Sequence, residues 1–178
     1  VEDGGQVRQG QLIVAIDPSD AETALALARA DLTDAQAERD DAERALTLAA
    51  DDLQAARDQS DLRDRALARQ RDLESRGVGT AATVEESEFA AAAARQQVVS
   101  RRQAEAQAQA RLAQAETQLS RRRVALDEAA RALDETRVTA AFDGTISDLD
   151  VSLGGLVSKN ERLADLIDPG ALEIAFRV

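Results

Sequence analysis

The pattern of apolar positions divides the chain into a long helical middle and two short β-prone ends. Beginning at residue 84, a seven-residue repeat runs Val84, Ala91, Val98, Glu105, Leu112, Leu119, Leu126 and Leu133, with Ala94, Ala108, Ala115 and Ala129 three residues further on. In the first half of the chain, positions 25, 28, 32, 35, 39, 42, 46, 49, 53 and 56 read Leu, Ala, Leu, Ala, Arg, Ala, Leu, Ala, Leu, Ala. Both are Leu/Ala heptad seams, with Arg39 the charged intruder in the first, and such seams support left-handed supercoiled packing. Beyond Ala56 the phase slips, and Leu62, Ala66, Arg69 and Leu73 define a new stripe near the tip.

Breakers set the boundaries. No Gly or Pro interrupts Ser19 to Ser75, or Thr80 to about Asp143, and both stretches therefore favour helix. Arg76-Gly77-Val78-Gly79 is the turn between them, so Gly77 and Gly79 are assigned structural roles. Asp17-Pro18-Ser19 suits a helix start. Ser19 with Glu22, and Thr83 with Glu86, have the spacing of capping boxes. Two helices of this length would each extend roughly 80–85 Å at 1.5 Å per residue. One short turn between them makes an antiparallel hairpin.

The flanks are related to one another. Val1-Glu2-Asp3-Gly4-Gly5-Gln6-Val7 aligns with Val151-Ser152-Leu153-Gly154-Gly155-Leu156-Val157. Leu12-Ile13-Val14-Ala15-Ile16-Asp17-Pro18 aligns with Leu163-Ala164-Asp165-Leu166-Ile167-Asp168-Pro169. Strand signals recur at Val138, Phe142 to Ile146, Val151, Val157 and Leu166-Ile167. Two copies separated by the helices suggest two halves of one pseudo-symmetric β-domain, with glycines at the tight turns. The chain begins and ends in mid-pattern, and is expected to be a piece of a longer one.

Composition narrows the function classes. The 178 residues include three aromatics, Phe89, Phe142 and Phe176, and no Cys, His, Met, Trp or Tyr. Alanine dominates the apolar content and buries little area per residue, which suits an object two helices wide. A net charge of −12 argues against a nucleic-acid partner. Without Cys or His the common zinc, haem and nucleophile–base arrangements have no ligands or base. Asp40-Asp41 and Asp51-Asp52 diverge by about 100° on a helix and read, like Arg121-Arg122-Arg123, as solvated faces. No catalytic residue, metal ligand or cofactor is assigned. No apolar run reaches the roughly 18 residues a membrane span needs, and no signal peptide is visible.

Several of these segments resemble membrane fusion proteins, the periplasmic adaptors of bacterial efflux pumps and secretion systems. Residues 1–17 resemble their first lipoyl half-motif, V-x-D-G-x-x-V-x-x-G-Q-x-L-x-x-I-D. Thr136-Arg137-Val138-Thr139-Ala140-Ala141-Phe142-Asp143-Gly144-Thr145-Ile146 resembles the family's T-x-V-x-A-P-F-D-G-x-I, with Ala141 in place of proline. Leu172 to Val178 resembles the start of the adjacent β-barrel domain. The resemblance implies a mainly α protein: a long antiparallel coiled-coil α-hairpin inserted between two halves of a lipoyl-like (biotinyl/lipoyl barrel-sandwich) β-domain. The implied domains are 1–17, first lipoyl half; 18–137, hairpin with its turn near 76–80; 138–172, second half; and 173–178, truncated β-barrel. A carrier lysine would belong on the hairpin between the halves, where the helices are inserted, and Lys159 is the chain's one lysine. The β-domain is therefore read as structural.

At the turn, Arg69-x3-Leu73-x6-Thr80 resembles the Arg-Leu-Ser motif with which these adaptors engage the outer-membrane channel. The resemblance makes Arg69 and Thr80 hydrogen-bonding groups and Leu73 an apolar contact. Read from residue chemistry alone, Leu73 can instead close the seam and Thr80 can cap a helix. The implied function is a non-enzymatic periplasmic adaptor, bridging an inner-membrane transporter (proton- or ATP-driven) to a TolC-like outer-membrane channel. The implied assembly is a homo-oligomer, a hexamer by resemblance, in the periplasm of a Gram-negative bacterium, anchored to the inner membrane in the full-length protein. The alternative is a coiled-coil spacer or scaffold without a transport role, which leaves the repeated Gly-Gly halves unexplained.

Overall fold

The computed structural model describes residues 4–158 and 161–168. The element order is β1 (Gln6–Val7), β2 (Leu12–Ala15), α1 (Ser19–Ser75), α2 (Ala81–Glu135), β3 (Arg137–Thr139), β4 (Gly144–Ser147) and β5 (Asp165–Ile167). Two compact units emerge, one of Ala28–Ala125 and one of Val1–Leu27 with Leu126–Val178.

Within the helical unit, burial follows the heptads. On α2 each position of the series from Val84 to Leu126 is buried or half-buried, Glu105 included. On α1 the seam read from Leu25 to Ala56 is likewise buried or half-buried, with Leu53 only 1% exposed. The expected change of phase does not occur. The α1 seam continues in the same register through Ser60 and Leu67, both buried, whereas Leu62 is 63% exposed and Arg69 and Leu73 also face solvent. The reason is mechanical: a straight supercoiled helix keeps its 3.5-residue period through one small polar residue, and Ser60 is small enough to be carried in the seam. Leu67 completes this end of the unit, in a cluster with Val84 and Ala91.

Four ion pairs cross between the helices: Asp31–Arg122 at 2.8 Å, Asp52–Arg101 at 2.9 Å, Asp64–Arg95 at 2.5 Å and Arg71–Glu88 at 2.6 Å. Asp31 and Asp52 lie three heptads apart on α1, and Arg122 and Arg101 lie three heptads apart on α2. That antiparallel matching is a register, although half-exposed pairs of this kind contribute at most about 1 kcal/mol each.

Both helix starts differ from the expected capping boxes. Pro18 offers the first helical carbonyl, to Glu22 N–H at 2.7 Å, so Ser19 already lies inside the first turn. Pro18 is thus the N-cap, and Asp17 just before it supplies the capping side chain, accepting Ser19 N–H at 3.0 Å and Ser19 Oγ–H at 2.5 Å. At α2 the box lies three residues earlier than Thr83–Glu86. Thr80 Oγ1 accepts Thr83 N–H at 3.3 Å, and Thr83 Oγ1 in return accepts Thr80 N–H at 3.4 Å. The Thr80 carbonyl opens the helix by accepting Val84 N–H, which makes Thr80 the N-cap and Thr83 the third helical residue.

The β unit is built from residues on both sides of the helices. β1 pairs with β4, and β4 with β5, all antiparallel, while β2 pairs with β3 across a bulge between Leu12 and Val14. Val7, Ala140 and Ile146 form the core, with Ile13, Leu149, Ala164 and Leu166 packed against it. A Cβ on Gly144 would lie 2.5 Å from the Ile167 carbonyl oxygen, so this close strand approach requires glycine. Asp143 Oδ1 accepts Gln9 N–H at 2.6 Å, tying the β3–β4 connection to the first segment.

The sequence repeat is realised in part. Gly4 and Gly154 occupy the same left-handed backbone region, at φ 81° and 77°. The strands expected at Val151 and Val157 do not form: Gly155 N–H closes a turn on the Ser152 carbonyl, and Leu153 and Leu156 project into solvent with no partner strand among the described residues. Val1 to Asp3, Lys159, Pro169, Phe176 and the whole 172–178 segment lie outside the described residues.

Candidate functional site

The turn between the helices is where sequence reasoning placed the site, and its backbone is fully wired. Gly77 adopts φ 76°, a conformation that a side-chain-bearing residue rarely tolerates. Its N–H bonds to the Glu74 carbonyl at 2.9 Å and Val78 N–H bonds to the Leu73 carbonyl at 3.0 Å, the paired bonds of a Schellman ending. Gly79 N–H also reaches the Leu73 carbonyl, at 3.1 Å, and a Cβ on Gly79 would lie 2.9 Å from Glu74 N. The chain therefore folds Gly79 directly onto the Leu73–Glu74 backbone, and Thr80 follows at once.

This wiring brings Leu73 and Thr80 to one place. Arg69 precedes Leu73 by one helical turn, about 6 Å of rise, on the same side of α1. All three are exposed, Leu73 at 39%. Arg69 takes part in no side-chain hydrogen bond or ion pair among the described residues, whereas Arg71 and Arg76 beside it are paired with Glu88 and Asp72. Thr80 differs from the other two, because its hydroxyl already holds the start of α2. Val78, 76% exposed, is a further apolar residue at the turn that sequence reasoning did not single out.

Elsewhere the electrostatics are local. Ser19, through its hydroxyl first and then its N–H, holds the Asp17 carboxyl below its ordinary range. Hydrogen bonding to Asp40, followed by the charge of Glu43, raises Arg39 above its ordinary value. Arg39 thus pairs along its own helix from within the α1 seam, 2.8 Å from Asp40 and 2.9 Å from Glu43. An apolar cavity of about 770 Å³ in the β unit runs between β2 and residues 149–157, and Asp17 is the one titratable side chain lining it. No group of three or more metal-ligating side chains converges among the described residues. No helix among them is long and apolar enough to cross a membrane.

Among solved structures, the periplasmic adaptor protein EmrA matches 95% of this chain with a TM-score of 0.52 at 13% identity. The chain shares the fold of a periplasmic adaptor. A protein from Bacteroides eggerthii DSM 20697, assigned provisionally as an efflux transporter, matches 95% of the chain at 20% identity, with a TM-score of 0.46. MacA from Actinobacillus actinomycetemcomitans matches 94% at 22% identity, with a TM-score of 0.40. The chain spans 35% of the Bacteroides protein, 67% of EmrA and 43% of MacA. No family model and no curated protein matches the sequence.

Proposed function

We propose that the chain is the hairpin and lipoyl-like portion of a periplasmic adaptor, bridging an inner-membrane transporter to an outer-membrane channel in a tripartite efflux or secretion system. The carrying observation is that β1 and β2 pair with strands more than 120 residues away while the intervening helices turn back on themselves at a capped tip, the fold shared with EmrA. On this reading residues 1–17 and 138–172 are the halves of the lipoyl-like domain, 18–137 the hairpin and 173–178 the start of a β-barrel domain. The full-length protein is anchored to the inner membrane of a Gram-negative cell and assembles as a hexamer. It carries no chemistry; its work is to hold two partners in register.

Arg69, Leu73 and Thr80 are the proposed channel contacts. Unpaired and exposed, Arg69 is free to donate charge-assisted hydrogen bonds, worth about 1.5–3 kcal/mol each when well formed, and several equivalent tips multiply the effect. Export by the full-length protein in its own host tests this. Arg69→Ala and Leu73→Ala are expected to reduce export at least tenfold at unchanged protein level and helix content. Arg44→Ala and Arg57→Ala on the shaft are expected to export normally. Normal export by both tip variants would refute the assignment and leave the helices as a spacer.

A further inference from the structure

The two ion pairs near the tip, Asp64–Arg95 and Arg71–Glu88, fix which residues face one another along one edge of the hairpin. With Leu25 and Val84 lettered a, all four occupy e. Each step of one heptad toward the base then brings the next e residue of α1 opposite the next of α2, because both seams keep their period through this stretch. Arg57 stands opposite Arg102, Ala50 opposite Gln109 and Glu43 opposite Glu116. Below two rungs of opposite charge, the e edge thus carries a basic rung, a neutral one and an acidic one.

Like charges that face one another repel, and the hairpin by itself leaves them so. Arg57 and Arg102 are exposed and make no ion pair or side-chain hydrogen bond among the described residues. Glu116 likewise makes neither, and Glu43 is met from its own helix, by Arg39 at 2.9 Å. Asp40 adds to the acidic end, and Asp61 lies just beyond the basic one. Between the two charged rungs the outward b and e positions are small or neutral: Thr47, Ala50, Gln54, Ala106, Gln109 and Ala113. The charged rungs lie two heptads apart, about 21 Å, with Ala50 and Gln109 midway. A two-fold axis through that midpoint sets the basic rung of one copy on the acidic rung of the other, twice over. A parallel arrangement of the same edges would set like on like.

We infer that two copies of this chain associate through the e edge as an antiparallel pair of hairpins, the Arg57–Arg102 rung of each seated on the Glu43–Glu116 rung of the other. Small side chains at the centre let the two edges approach closely. The two tips of such a pair point apart, so it is distinct from any assembly that presents all tips to one partner, and it does not depend on the adaptor reading. From Asp40 to Asp61 and from Val99 to Ser120 the patch is about 30 Å long and two helices, about 20 Å, wide. It covers about 600 Å² on each copy, the lower end for a specific interface. The pair is therefore expected to be weak and to depend on concentration.

Sedimentation equilibrium of the 178-residue chain tests the inference. Wild type is expected to dimerise reversibly, and a chain that stays monomeric up to about 1 mM overturns it. Arg57→Glu with Arg102→Glu makes both rungs acidic, and Glu43→Arg with Glu116→Arg makes both basic. All four positions are exposed, so helix content is expected to be unchanged. Each double variant alone is expected to lose at least tenfold in self-association. That includes the basic one, although its net charge is smaller in magnitude than that of wild type and repels less. Mixed together, the two are expected to pair with each other, and the fourfold variant, with its rungs exchanged, is expected to dimerise as wild type does. Unchanged self-association in both double variants, or no pairing in the mixture, overturns the inference. Because the chain has no cysteine, Gln109→Cys and Ala92→Cys provide single attachment points for a short cross-linker. Gln109 lies beside the two-fold axis and is expected to link to its own copy, whereas Ala92, on the same edge nearer the tip, is expected not to. Links from both would mean parallel copies, and links from neither would put the contact elsewhere; either result overturns the inference.

Discussion

The helical unit and the β unit bury their apolar residues by opposite strategies. In the helical unit the seam is a long row of small contributions, a leucine or valine alternating with alanine every three or four residues, tolerant enough to carry Arg39, Ser60 and Glu105. In the β unit three buried side chains make the core among the described residues: Val7 from one side of the helices, Ala140 and Ile146 from the other. A distributed seam can absorb a polar residue because its neighbours one heptad away keep the register. A core of three cannot, since each member also holds together segments that are remote in sequence.

That contrast is testable by truncating one side chain in each unit, both 1% exposed. Ile146→Ala is expected to cost about 3–4 kcal/mol and to release β1 and β5 together, seen as loss of amide protection at Gly4 and Ile146 while the helical signal persists. Leu53→Ala is expected to cost about 2–3 kcal/mol, with protection lost only over the neighbouring turns of α1 and α2. Equal, global unfolding by both substitutions would show that the two units share one cooperative transition.

Next in size is the cap at the tip. Thr80→Ala removes an N-cap hydroxyl and is expected to cost about 1 kcal/mol, whereas Thr80→Ser should be nearly silent; amide exchange at Thr83 and Val84 measures it. A hydroxyl that acts in channel contact alone would leave that exchange unchanged.

The smallest expected effect lies at the start of α1. The Asp17 carboxyl is held below its ordinary range in the folded chain, so the stability it confers is present above the carboxyl's unfolded pKa. It is lost as pH falls through the lower folded value. Acid titration followed at Ser19 and Asp20 amides should show fraying of α1 that Asp17→Asn does not share. Identical acid behaviour in that variant would remove Asp17 as the capping side chain.

How much was legible in advance depended on the range of the interactions. The helices, their ends near Ser75 and Glu135 and the turn at Gly77 follow from breakers and a seven-residue period, which are properties of neighbouring residues. The caps were misplaced by two or three residues, because which carbonyl opens a helix depends on where the backbone enters it, and Asp17 and Thr80 took roles read for Ser19 and Thr83. The stripe of Leu62, Ala66, Arg69 and Leu73 was seen, but its direction was not. An apolar residue signals a contact face only relative to the register of its helix, and that register was carried past Ala56 by Ser60 and Leu67.

What the chain's own order of residues determined is thus local: two long helices, a glycine turn and strand-forming segments at each side. The repeat also joined the two flanks into one β-domain, but only the tertiary structure decided which strand pairs with which, that Ser152 to Gly155 is a turn rather than a repeated strand, and that ion pairs close one edge of the hairpin near its tip. The physical reason is that these outcomes rest on partners tens of residues away, Asp64 with Arg95 or Gly144 against Ile167, whose meeting no short-range periodicity encodes.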